Sequence, residues 1–206
     1  MSASLCYMCG DTAKMSSCLD EILAHANVFE DSLNASAMFA RLMSSLSKHR
    51  EAITNCLDIL AKLGEQFPSQ PDLAIVQNKL TEVQPLLLAL TADSMKALPT
   101  MTDTNKLQAM KFLGMLCEIS LMAAPMLLPL LSVRMMELTL QFGFCSDSIL
   151  GIFYTAYSVV SFVLVKGWSC ICPLQNSCID VIDHENSYSL QMMYHLHIKL
   201  VKLEQC

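Results

Sequence analysis

Ile53-Thr54-Asn55-Cys56-Leu57-Asp58-Ile59-Leu60-Ala61-Lys62-Leu63-Gly64 decides the fold class. Ile53, Cys56, Leu57, Leu60 and Leu63 recur in steps of three and four, the stripe of a helix with one buried face. Gly64 stands where a helix closes with a left-handed residue. Pro68 and Pro71 follow and predict a loop.

The same period extends upstream. Met15, Cys18, Leu19, Ile22 and Ala26 form a stripe behind a Gly10-Asp11 turn with an N-cap candidate. Asp31 to Ser47 predicts a second helix with Leu33, Ala37, Ala40, Met43 and Leu46 inward. Downstream, Leu73, Val76, Leu80, Val83, Leu87 and Leu90 form a stripe that Pro85 should kink or split. Leu98-Pro99-Thr100-Met101 reads as a linker, and Thr102 or Asp103 as the cap of a helix carrying Leu107, Met110, Gly114, Cys117 and Leu121. Another helix is expected from Pro125 to Phe142, stopped by Gly143, and a last one from Asp147 to Val165. Beyond Trp168 the helical pattern degrades; Tyr194, Leu196, Ile198 and Leu200 alternate with polar residues in a weak strand signal.

Composition agrees. Hydrophobic residues make up 53 % and charged residues 16 % of 206, enough apolar surface for a sizeable core. Net charge is −6 with scattered Lys and Arg, so no nucleic-acid partner is expected. No secretory signal is evident at the N-terminus, so the ten cysteines are expected to be reduced thiols in a cytoplasmic protein. Helix pairs that recur about every 38 residues early in the chain suggest a stacked array. No two pairs match closely in sequence. The expectation is an all-α, tetratricopeptide-like superhelix of about seven helices over 1–165, followed by a Cys/His-containing tail over 166–206.

Ala52 to Pro68 resembles the "eAi…L.iL..LGe.fP" segment of the large predicted AAA-type ATPases with a long tetratricopeptide-like region. Leu98-Pro99-Thr100-Met101-Thr102-Asp103 is similar to that family's "LP.M.D" linker. Pro125 to Gly143 is similar to its next helix, and Tyr154 to Tyr157 to the aromatic helix after it. Members often carry a kinase-like domain before this region and a sensor and histidine-kinase module after it. The resemblance covers roughly residues 3 to 165 and ends where the chain turns Cys-rich. It implies a helical spacer that couples an ATPase to a signalling output, with protein partners or adjoining signalling domains. The family's ATP-binding residues have no matching positions here. Neither end of the chain has the polar surface of a capping repeat, which reads as a segment cut from something longer.

No phosphate loop, dinucleotide fingerprint, HExxH or nucleophile elbow is present, so no catalytic residue and no cofactor are assigned. Cys6 and Cys9 have metal-ligand or redox spacing; the alternative is two buried thiols on a helix. Cys170, Cys172, Cys178, His195 and His197, with His184 nearby, have the donor chemistry of zinc. The alternative is an irregular tail with His on one exposed face. Ile149 to Val165 is uncharged and near the lower limit for spanning a bilayer, with Lys166 and Trp168 behind it. The alternative there is a buried helix of the array. Met110, Met115, Met122, Met126, Met135 and Met136 suit either core packing or an adaptable groove. Arg134, amid apolar neighbours, is expected to snorkel or to pair with Glu137.

Overall fold

The computed structural model describes residues 12–25, 29–89 and 91–166. Eight helices lie within them: α1 Thr12–His25, α2 Phe29–Ser45, α3 His49–Lys62, α4 Leu73–Ala89, α5 Ala92–Lys96, α6 Thr104–Ala123, α7 Leu128–Phe142 and α8 Ser148–Lys166. Extended backbone pairing among the described residues is confined to one parallel bridge, Thr100 with Phe144.

Local chemistry sets several helix ends. In α3, Gly64 takes φ +86°, its N–H donates to Ala61 O at 3.1 Å, and the Glu65 N–H donates to Leu60 O at 2.8 Å. This is the double-bonded left-handed stop that glycine favours. The end of α2 repeats it with a serine. Ser47 sits at φ 59°, its N–H donates to Ser44 O at 3.0 Å, and Lys48 N–H to Met43 O at 2.8 Å. A side chain in this region costs roughly 1–2 kcal/mol. Ser47→Gly should therefore raise unfolding stability by about 1 kcal/mol. A urea titration showing no increase, or a decrease, would count against that strain.

Asp103 caps α6 by accepting from Lys106 N–H at 3.0 Å. Thr91 and Ser94 reciprocally cap the five-residue α5, which the apolar pattern did not reveal. One boundary differs from expectation. The seventh helix starts at Leu128 rather than Pro125, and Pro129 takes the tolerated first-turn place. Of the two outcomes expected at Pro85, a kink or a split, the split does not occur: α4 runs on to Ala89.

Each helix packs on its chain neighbour in the pairs α1–α2, α2–α3, α6–α7 and α7–α8. Helix α3 packs directly on α6, so residues 64–103 leave the stack and return to the same seam. Within that excursion α4 lies against α7. Second neighbours also touch, α2 with α6 and α6 with α8. The main core joins Ala40, Leu60, Leu113, Leu116, Leu131 and Leu138 from four helices. Leu33, Ala37, Ala40 and Met43 point inward as the stripe predicts, but Leu46 lies past the end of α2 and is 44 % exposed. Ile22 is likewise exposed, against expectation. Met110, Met115, Met135 and Met136 are core residues, whereas Met122 is 78 % exposed.

Among the described residues no helix is long and apolar enough to cross a membrane. Ile152, Tyr154, Thr155 and Ser158 of α8 are buried within the protein. The side chains of 160–166 lie outside the described residues. So do the Gly10-Asp11 turn, the Cys6 and Cys9 pair, the strand signal, and Cys170, Cys172, Cys178, His184, His195 and His197.

Candidate functional site

Helix α6 is buried on nearly every side. From Ala109 to Ser120 only Lys111 and Glu118 are not buried, and they stand two turns apart on one face. The helices that touch α6 on either flank place polar residues at the same seven-residue spacing. These are Asn34 and Arg41 on α2, and Asp147 and Tyr154 beside and on α8. The result is two rungs across three helices. Lys111 Nζ donates to Asn34 Oδ1 at 3.3 Å, and its charge also acts on Asp147. Arg41 and Tyr154 act electrostatically with Glu118 in the second rung.

Gly114 lies between the rungs. A Cβ there would stand 3.4 Å from Leu150 Cδ1 and 3.6 Å from Asp147 Oδ1, ordinary contact distances that show how closely α8 lies over α6. The face is electrostatically loaded. Burial pushes Glu118 above the usual carboxylate value; Asp147 adds to the rise and Arg41 opposes it. Burial raises Asp147 in the same way, against the Ser146 hydroxyl and the Lys111 charge. Burial, then the Glu118 charge, raises Tyr154. Partly desolvated carboxylates gain from a cation brought against them.

A second charged cluster sits at the junction of α3, α4, α6 and α7. Glu65, 3 % exposed, accepts from Lys106 Nζ at 2.8 Å and Arg134 Nε at 2.6 Å. Arg134 Nη1 also donates to Glu137 at 2.9 Å, and Lys79 Nζ reaches Glu137 at 2.8 Å. Lys106 Nζ lies 5.4 Å from the centre of the Phe142 ring. The Gly64 turn aims Glu65 here, because the residue after the left-handed stop folds back toward the helix it ended. Of the two roles expected for Arg134, snorkelling or pairing with Glu137, the pairing is present; Glu65, Lys106 and Lys79 were not foreseen, since they meet only in three dimensions.

Cys56 and Cys117 are core residues. Burial pushes the Cys56 thiol up to about 12 and raises Cys117 further, so both are held as thiols that behave as small hydrophobes. Among the described residues no group of three or more His, Cys, Asp or Glu could hold a metal ion.

No family model, no curated protein and no solved structure matches this chain.

Proposed function

We propose that this chain is a helical-repeat scaffold segment of tetratricopeptide type that binds a protein partner and performs no chemistry of its own. In this reading α2–α3 and α6–α7 are successive repeats, α8 begins the next, and the face of α2, α6 and α8 is the binding surface. The observation that carries it is the second-neighbour packing of α2 on α6 and α6 on α8. Helix pairs stacked this way bury their apolar faces against each other and leave an extended face for a partner. A partner Lys or Arg would compensate the carboxylates of Glu118 and Asp147. The resemblance to the AAA-type signalling ATPases supports a role inside the cell, coupling an ATPase to an output domain.

The test is cross-linking in the expressing cells with the double variant Lys111→Glu/Glu118→Lys. Asp58→Lys, on the exposed side of α3, is the reference. The partner cross-linked by the natural chain should fall at least about tenfold with the face variant and persist with the reference, since misplaced like charges cost several kcal/mol. Equal capture by both variants, with unchanged melting, would remove the face from the binding role. An immunoblot against residues 65–80 decides the setting. A band far above 22.8 kDa assigns the segment to a multidomain protein, and a band at 22.8 kDa assigns it to a freestanding adaptor.

A further inference from the structure

We propose that α4 and α5 form a releasable strap over a groove on α7 and α8, and that the groove receives an amphipathic helix from a partner protein when the strap opens. Connectivity comes first. Because α3 packs on α6, the strap is an excursion whose departure leaves the seam between those helices intact. Its apolar contact is a satellite core, in which Val83 and Met95 of the strap meet Val133, Met136 and Ile152 of the stack.

The strap is weakly held. Pro85 lies in the interior of α4, where it removes a helix hydrogen bond. Val76, Val83 and Met95 are buried, but Leu73, Ile75 and Leu86 are 52 %, 43 % and 43 % exposed, so docking covers only part of its apolar surface. Lys79 makes the ionic tie to the stack, at 2.8 Å from Glu137. When Lys79 leaves, Glu137 keeps Arg134 at 2.9 Å, so opening strands no carboxylate.

What opening would bare is shaped for a helix. Val133, Met136 and Leu140 follow at intervals of three and four along α7, with Ile152 across from them and the Glu137 carboxylate at the side. The resident α4 states the chemistry of the occupant. It is a helix with apolar residues spaced like Val76, Leu80 and Val83 and a lysine at the register of Lys79. This groove is separate from the two-rung face, and neither reading depends on the other.

Two measurements on the full chain test it together. Hydrogen exchange should show residues 73–96 opening ahead of α3 and α6, and Lys79→Met should speed that opening roughly threefold while leaving α6 unchanged. A labelled peptide with the sequence of residues 72–89 should bind the Lys79→Met chain tighter than the natural chain by the same factor, because its affinity scales with the open fraction. Leu140→Asp, at the half-buried groove edge, should abolish peptide binding. Exchange of the strap only together with α6 overturns the strap. Faster opening without a matching gain in peptide affinity overturns the groove. A dimer in light scattering with α4 exchanged between copies would make the occupant a second copy and overturn the partner reading.

Discussion

Glu65→Ala should lower unfolding stability by roughly 2–3 kcal/mol, read as a shift of the urea midpoint at unchanged slope. Removing one partner of a buried ion pair typically costs about 3–5 kcal/mol, because the other charge is left desolvated and alone. Here the loss is moderated on both sides. Arg134 is 32 % exposed and retains Glu137, and Lys106 is 21 % exposed and lies over Phe142. Glu65→Gln, which keeps the shape and one acceptor oxygen, should cost less, roughly 1–2 kcal/mol. Equal, small losses for the two variants would mean that the cluster is solvated in practice and holds nothing together.

The same residue sets the acid limit of the fold. Burial alone would raise the Glu65 carboxyl, but the hydrogen bonds and charges of Arg134 and Lys106 together outweigh it and hold it below its ordinary value. Glu137 is lowered in the same manner, with Lys79 and Arg134 prevailing over burial. A carboxyl held low in the folded state adds stability above its unfolded value, about 4.3, and that stability is lost as pH falls through the folded value. The natural chain should therefore weaken steeply below about pH 4.5. Glu65→Ala should start lower and show a shallower acid limb, because one of the two titrating groups is gone. Glu118 and Asp147 work in the opposite sense: their raised values favour protonation in the folded state and blunt the slope.

Helix periods carried most of the fold. The 53–63 stripe, the Gly64 stop and the Asp103 cap are local signals, settled by residues within one or two turns of each other. Where the reading missed, the deciding partner was distant in the chain. Pro125 and Pro129 both qualify for a first turn, and the helix takes Pro129. Helix α5 has a local Thr91–Ser94 cap, but Met95 docks into the α7–α8 surface, a contact no short window contains. The two-rung face was half visible. The polar pairs recur at a spacing of seven on α2, on α6 and across the start of α8, but nothing local says that Asn34 will meet Lys111, 77 positions on. Arg134 shows the same division. Its i+3 pairing with Glu137 follows from helix geometry, while its tighter bond to Glu65 crosses 69 positions.

Among the turns of the described residues, Gly143→Ala should be the most damaging single-methyl change, lowering stability by roughly 3–5 kcal/mol. Gly143 has φ 105° and ψ 179°, a region that only glycine occupies without strain of about 1–3 kcal/mol. A Cβ there would also stand 2.3 Å from Pro99 O and 3.1 Å from Met101 N. Those atoms cannot yield easily. Pro99 O accepts from Phe144 N–H at 2.7 Å, and Met101 N–H donates to Phe144 O at 2.9 Å, so relief of the clash breaks the bridge that returns the chain to α6. Gly64→Ala is the matched control. Its φ is also positive, but nothing lies within 4 Å of the added carbon, so only backbone strain of roughly 1–2 kcal/mol remains. The difference between the two variants isolates the contact with Pro99. Hydrogen exchange should place the extra loss at Met101 and Phe144 in Gly143→Ala, with both amides still protected in Gly64→Ala. If the two alanines cost the same, the close passage of the linker past the end of α7 contributes nothing, and the strap's return hinge is free rather than anchored.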